Sequence, residues 1–98
     1  MPIKEADRRS TTATVILNDF MYTFGGLNKL GEVDDKFHRL DLVTLNWIKI
    51  DCDNAPTPRH GHTFVVLNKN LFVYGGIGIN DVDCKDHHVY VTEDKQWH

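Results

Sequence analysis

Shifting the chain against itself by 50 residues, without a gap, superimposes eight identical residues. Arg9 falls on Arg59, Val15 on Val65, Leu17 on Leu67 and Asn18 on Asn68. The pair Gly25-Gly26 falls on Gly75-Gly76, His38 on His88 and Trp47 on Trp97. Conservative matches fill the same frame: Ile16 with Val66, Tyr22 with Phe72, Phe24 with Tyr74 and Leu27 with Ile77. Both tryptophans and both Gly-Gly pairs of the chain share this one offset. A period of this length means one supersecondary unit used twice, and such units bury their apolar faces on one another.

Each unit reads as four short strands. In the first, Thr11 to Asn18 is rich in Thr, Val and Ile, which suit a pleated surface. Asp19 begins a tight turn, Phe20 to Phe24 is a second strand ending at Gly25-Gly26, and Phe37 to Leu42 and Asn46 to Ile50 follow. The second unit gives Thr63 to Leu67, Leu71 to Tyr74, His87 to Val91 and a stub at Gln96 to His98. No window of helical length carries a clean 3.6-residue stripe, so the chain reads as all-β.

The strands are ordered by polarity. The first two of each unit are nearly continuously apolar, as in Ala13-Thr14-Val15-Ile16-Leu17 and Leu71-Phe72-Val73-Tyr74. Strands covered on both faces have this composition. Later strands carry charge and histidine, as in His38-Arg39-Leu40-Asp41 and Ile48-Lys49-Ile50-Asp51. A sheet stacked between two others, with its first strands deepest, accounts for both, and that is a propeller blade.

These residues resemble the kelch repeat. In the second unit the resemblance rests on Arg59-His60-Gly61-His62 before an apolar strand, Gly75-Gly76, a variable loop, Asp86, Tyr90 and Trp97. In the first it rests on Arg9, Gly25-Gly26 and Asp41-Leu42-Val43-Thr44-Leu45-Asn46-Trp47, with Trp47 and Trp97 each 21 residues after a Gly-Gly pair. Ser10-Thr11-Thr12 stands where the second unit has His60-Gly61-His62, and Val91-Thr92-Glu93-Asp94 departs from the Asp-x-x-Thr turn. The resemblance implies two four-stranded antiparallel kelch blades of a β-propeller: residues 9–58, and residues 59–98 with its last strand cut short. It implies structural roles for Gly25, Gly26, Trp47, His62, Gly75, Gly76 and Trp97, and binding of a protein or peptide partner. Propellers of similar adaptors hold acidic peptides with arginines placed like Arg9 and Arg59, and a bidentate guanidinium suits that task.

Propellers usually have about four to eight blades, and two blades leave two faces bare. Further blades are therefore expected, from a longer chain, another chain or a second copy. Eleven residues separate Trp47 from Arg59, and nine would separate Trp97 from Arg9 of a following copy. Residues 1–8 are thus expected to complete a fourth strand, with Ile3-Lys4 standing where Ile48-Lys49 stand.

The segments Leu27 to Lys36 and Ile77 to Lys85 are similar in length and unlike in sequence. A rigid repeat with variable loops is the logic of a binding surface, and Leu30, Ile77 and Ile79 are its candidate apolar anchors. Other classes find less support. The net charge is −3 with no basic run, which argues against nucleic acid. No apolar run approaches the roughly 20 residues of a membrane helix, and the N-terminus has no signal-peptide core. Only Cys52 and Cys84 are present, so a reducing compartment, cytoplasm or nucleus, is expected.

His60, His62, His87, His88 and Cys84 lack the paired spacing of a metal site. Asn80-Asp81-Val82-Asp83 lacks the glycine and glutamate of a calcium loop. Ser10 is the only serine, and nothing near it or Cys84 suggests an activated nucleophile. No catalytic residue, metal ligand or cofactor is assigned. The leading expectation is a non-enzymatic scaffold or adaptor. The alternatives are a metal site shared across blades and blades that complete another chain's propeller.

Overall fold

A computed structural model describes residues 12–98. It contains two four-stranded antiparallel sheets, β1-β2-β3-β4 and β5-β6-β7-β8. The first holds β1 (Ala13–Leu17), β2 (Phe20–Phe24), β3 (Phe37–Asp41) and β4 (Trp47–Lys49). The second holds β5 (Thr63–Leu67), β6 (Asn70–Tyr74), β7 (His87–Val91) and β8 (Gln96–Trp97). A short 3₁₀ turn at Ile79–Asp81 is the one helical element among the described residues. Residues 1–8, expected to complete a strand, and Arg9 lie outside the described residues.

Turn chemistry sets the strand ends, with β5 at its expected bounds and β1 one residue short of Asn18. Asn18 and Asn68 take positive φ (56° and 52°), so β1 and β5 stop at Leu17 and Leu67. Lys69 follows at φ 66°, which makes Asn68-Lys69 a mirror-image turn matching the right-handed twist of its strands. At the β3–β4 turn, Asp41 accepts from the backbone N–H groups of Val43 and Thr44 at 2.9 and 3.1 Å. Val91, the counterpart of Asp41, has no such acceptor. The backbone turn persists nonetheless: Leu45 N–H donates to Asp41 at 2.7 Å and Lys95 N–H to Val91 at 2.8 Å.

Strand alternation then decides which residues meet. On one face of the first sheet, Ala13, Val15 and Leu17 lie across from Phe24, Tyr22 and Phe20, with Phe37 beyond. On the second sheet the packed set is Phe64, Val66, Leu71, Val73, Tyr90 and Trp97. These two faces form one core between the blades. Its centre is aromatic: Phe37 lies 4.8 Å from Tyr90 and 5.1 Å from Trp97, and Phe24 lies 5.7 Å from Trp97. Offset and edge-on pairs of this kind add roughly 0.5–1.5 kcal/mol each beyond area burial.

The packed face of the second sheet sits, in the repeat frame, on the positions of Thr14, Ile16, Met21, Thr23, Leu40 and Trp47. Those residues lie on the outward face of the first sheet. The outward face of the second sheet carries Val65, Leu67 and Tyr74, all exposed. The two blades therefore stack head to tail, meeting through opposite sides of the same repeat. This is blade stacking in a β-propeller.

Candidate functional site

The site is built by the connections at one end of the blades: the β2–β3 loop, the β4–β5 crossover and the β6–β7 loop. The two loops differ in sequence yet share a backbone. Leu27 bridges Val33 as Ile77 bridges Asp83. Asn28 N–H reaches Glu32 at 2.9 Å, and Gly78 N–H reaches Val82 at 2.8 Å. Asp34 N–H donates to Gly26, and Cys84 N–H to Gly76, both at 2.8 Å. The first loop turns with help from the Asn28 side chain, which accepts from Leu30 and Glu32 N–H at 2.9 and 3.0 Å. The second turns through Asn80 and Asp81, both at positive φ (59° and 58°). Different side chains thus close the same hairpin.

The crossover ties the loops together. Gly26 N–H donates to the Arg59 carbonyl at 2.9 Å, and Arg59 N–H donates to Asp34 at 3.2 Å. His60 and Ile77 exchange backbone bonds at 3.0 and 2.9 Å. The first Gly-Gly pair is required by this approach. A Cβ on Gly25 (φ +73°) would stand 2.6 Å from the Arg59 carbonyl oxygen and 2.8 Å from the His62 ring.

Arg59 is fully buried and every donor on its guanidinium is used. Nε donates to the Thr57 carbonyl at 3.1 Å, and Nη2 donates to Thr57 Oγ1 at 3.1 Å. Nη1 donates to the Gly75 carbonyl at 3.1 Å, and Nη1 and Nη2 grip Asp86 at 2.8 and 3.0 Å. Five N–H groups meet five acceptors inside the chain. The acidic partner of Arg59 is therefore Asp86 of its own blade, and the arginine braces the crossover against β7. Those bonds hold the Asp86 carboxyl well below the usual carboxylate range, with His88 Nε2 adding a contact at 2.6 Å.

His62 is buried beneath the same crossover, edge-on to Phe24 at 5.5 Å. Neither ring nitrogen has a well-formed hydrogen bond. Burial pushes its pKa down to about 4, with Arg59 and His60 acting the same way and a Phe24 carbonyl opposing them.

Between the two loops lies a groove of about 490 Å³. Leu27, Asn28, Glu32 and Val33 line it from the first blade, Ile79, Asn80 and Asp81 from the second, and His60 stands between them. Of the expected anchors, Ile79 lines the groove and is 59% exposed, and Leu30, between Asn28 and Gly31 in sequence, is 82% exposed. Ile77 is half-buried and spends its backbone on His60 and Asp83. Trp97 sits in the core, and Trp47 is half-buried on the outward face of the first blade. Glu32, His60 and Asp81 were not singled out as lining residues by sequence. Their signal was positional: they flank the two Gly-Gly pairs at the blade end where the variable loops meet. Cys52 and Cys84 are free thiols. Among the described residues no three of His, Cys, Asp and Glu converge as a metal site would require.

A family model described as the KLHDC2/KLHL20/DRC7 Kelch-repeats domain matches residues 3–98. A Rab9 effector protein with kelch motifs from Gallus gallus is 36% identical over 80 residues, covering 74% of this chain and 22% of that protein. Acyl-CoA-binding domain-containing protein 4 from Arabidopsis thaliana is 36% identical over 75 residues, covering 76% of this chain and 11% of that protein. The tRNA wybutosine-synthesizing protein 2/3/4 from Arabidopsis thaliana is 33% identical over 95 residues, covering 92% of this chain and 9% of that protein. The chain thus spans less than a quarter of the length of these relatives.

Proposed function

The chain belongs to the kelch-repeat family, and from that premise we propose that it is a non-catalytic binding unit that takes a protein segment into the groove between its β2–β3 and β6–β7 loops. The observation that carries this reading is the pair of loops that hold one backbone with different side chains. The fold maintains the groove while leaving its lining free to be chosen for a partner. Family membership supports a protein-interaction role, and the similar Rab9 effector is named for a protein partner. The other relatives carry the same blades under quite different names, as expected of a part whose specificity lives in its loops.

The outward faces fit the same picture. That of the second sheet is exposed and repeats, in register, a face already buried between the two blades, so it is read as a seat for a further blade of the same kind.

The test compares three proteins in recovering partners from a cell extract: the wild type, Leu30→Asp with Ile79→Asp, and Val43→Asp. Val43 is 74% exposed on the β3–β4 turn, at the opposite end of the blades, and serves as the control. All three substituted side chains are exposed, so urea midpoints should agree within about 0.5 kcal/mol. The loop variant is expected to lose the partners that wild type and Val43→Asp retain. Equal recovery by the loop variant would refute the proposal.

A further inference from the structure

The charges of the two loops are sorted by use. Asp86 is neutralised by Arg59, and Asp34 is buried with its carboxylate accepting from Lys36 N–H at 2.7 Å. Glu32 and Asp81 are different. Both are exposed, one from each blade, and both line the groove. Among the described residues neither has an ion pair, and the side-chain contact of Glu32 is a 3.2 Å bond from the Asn28 amide. The lining holds no lysine or arginine. Its remaining side chains include the aliphatic Leu27, Val33 and Ile79. The groove is therefore mostly polar, with three aliphatic side chains and a carboxylate from each blade.

Resting on the binding role proposed above, we infer that the groove's occupant is an extended protein segment presenting a lysine or arginine next to an aliphatic side chain. The aliphatic residue meets Leu27, Val33 and Ile79, and the cation reaches between Glu32 and Asp81. Occupancy removes water from around the carboxylates, which strengthens the charge-assisted bonds relative to a fully exposed pair. An acidic segment, or the phosphates of a nucleic acid, meets like charge at the same place and is disfavoured. Because both carboxylates are solvated in the free protein, much of the attraction is screened by salt.

Three capped, fluorescein-labelled peptides test this by anisotropy: Gly-Ser-Gly-Leu-Lys-Leu-Gly-Ser-Gly, and the same peptide with methionine or glutamate in place of lysine. The lysine peptide is expected to bind at least tenfold more tightly than the glutamate peptide at low salt, and raising salt from about 20 to about 200 mM should erode that preference. In Glu32→Gln with Asp81→Asn the preference should vanish while methionine-peptide binding stays unchanged. Both substitutions suit the backbone: Glu32→Gln keeps an acceptor for the Asn28 amide, and asparagine tolerates the positive φ of residue 81. Equal binding of the lysine and glutamate peptides, or a preference that survives the double substitution, overturns the inference. It leaves the binding role standing where Leu30→Asp with Ile79→Asp still loses its partners. Failure of all three peptides to bind also overturns the inference, and the binding role falls with it where that loop variant keeps its partners.

Discussion

Replacing Arg59 with methionine should cost about 2–4 kcal/mol, a sum that follows from where its acceptors sit. The substitution retains most of the aliphatic stem and removes all five N–H donors. The Asp86 side chain is 48% exposed, so water replaces the guanidinium there and the lost ion pair contributes only about 1 kcal/mol. The Gly75 carbonyl is the costlier loss, because that bond is buried and an orphaned buried acceptor costs about 1–3 kcal/mol. The two bonds to Thr57 add a smaller amount. Arg59→Lys keeps the charge and the stem but loses the planar fork, so it should cost less, about 1–2 kcal/mol. Asp86→Asn keeps one acceptor at a half-exposed site but leaves a fully buried guanidinium without its counter-ion, so it should cost about 1–2 kcal/mol. Urea denaturation at neutral pH measures all three. Arg59→Met is predicted to cost the most of the three. Asp86→Asn proving as costly as Arg59→Met would show that the ion pair, not the buried acceptors, dominates, and would refute this account of the brace.

The remaining predictions concern the same crossover. The His62 pKa falls from 6.5 to about 4 on folding, so the unfolded chain binds more protons between those values. Stability should therefore be lost as pH falls from about 6.5 to about 4, by up to roughly 3 kcal/mol; His62→Phe should flatten that slope in urea midpoints, and an unchanged slope would assign it to other groups. The Asp86 contribution should persist across that interval, because its carboxyl stays ionised to lower pH. Gly25→Ala and Gly61→Ala both place alanine at positive φ (+73° and +67°), but only Gly25 has backbone within reach of the new Cβ, while Gly61 has nothing within 4 Å. Gly61→Ala should cost roughly 1–2 kcal/mol from conformation alone, and Gly25→Ala clearly more, by thermal or urea unfolding; equal costs would show that the contact with the Arg59 carbonyl is not tight.

The repeat frame made the fold legible because one offset aligned two units of four short strands, the first two apolar and the later ones polar. Gly25-Gly26 and Gly75-Gly76 fixed the offset and the first two strands of each unit read as covered on both faces, but which face of Val15 and Tyr22 meets Phe64 and Leu71 is settled only by the register of the folded sheets. Strand ends were harder to read, since Asn18 and Leu45 leave the strand conformation through positive φ, which composition does not announce. The role of Arg59 was half legible. Its place before the innermost strand could be read, but its acceptors on Thr57, Gly75 and Asp86 are scattered along the sequence and meet only in the folded blade. The groove was least legible. Glu32 and Asp81 are ordinary loop carboxylates until the blades stack and set them on facing walls.

This division has a physical reason that bears on function. The hydrogen bonds that the two loops share are backbone to backbone: Asn28 to Glu32 and Gly78 to Val82, Asp34 to Gly26 and Cys84 to Gly76. A backbone bond places no demand on side-chain identity beyond the capacity to turn, which Asn28 and Gly31 meet in one loop and Asn80-Asp81 in the other. The constrained chemistry, Gly25-Gly26 against the Arg59 carbonyl and Arg59 against Asp86, lies below the loops and fixes where they start and end. Groove side chains outside these turn positions can therefore be exchanged with little cost to the scaffold, whereas the same exchange at Gly25, Arg59 or Trp97 would disrupt the packing between the blades. A surface built this way is tuned by the residues that stability leaves unconstrained, and in this chain those at the groove are Glu32 and Ile79.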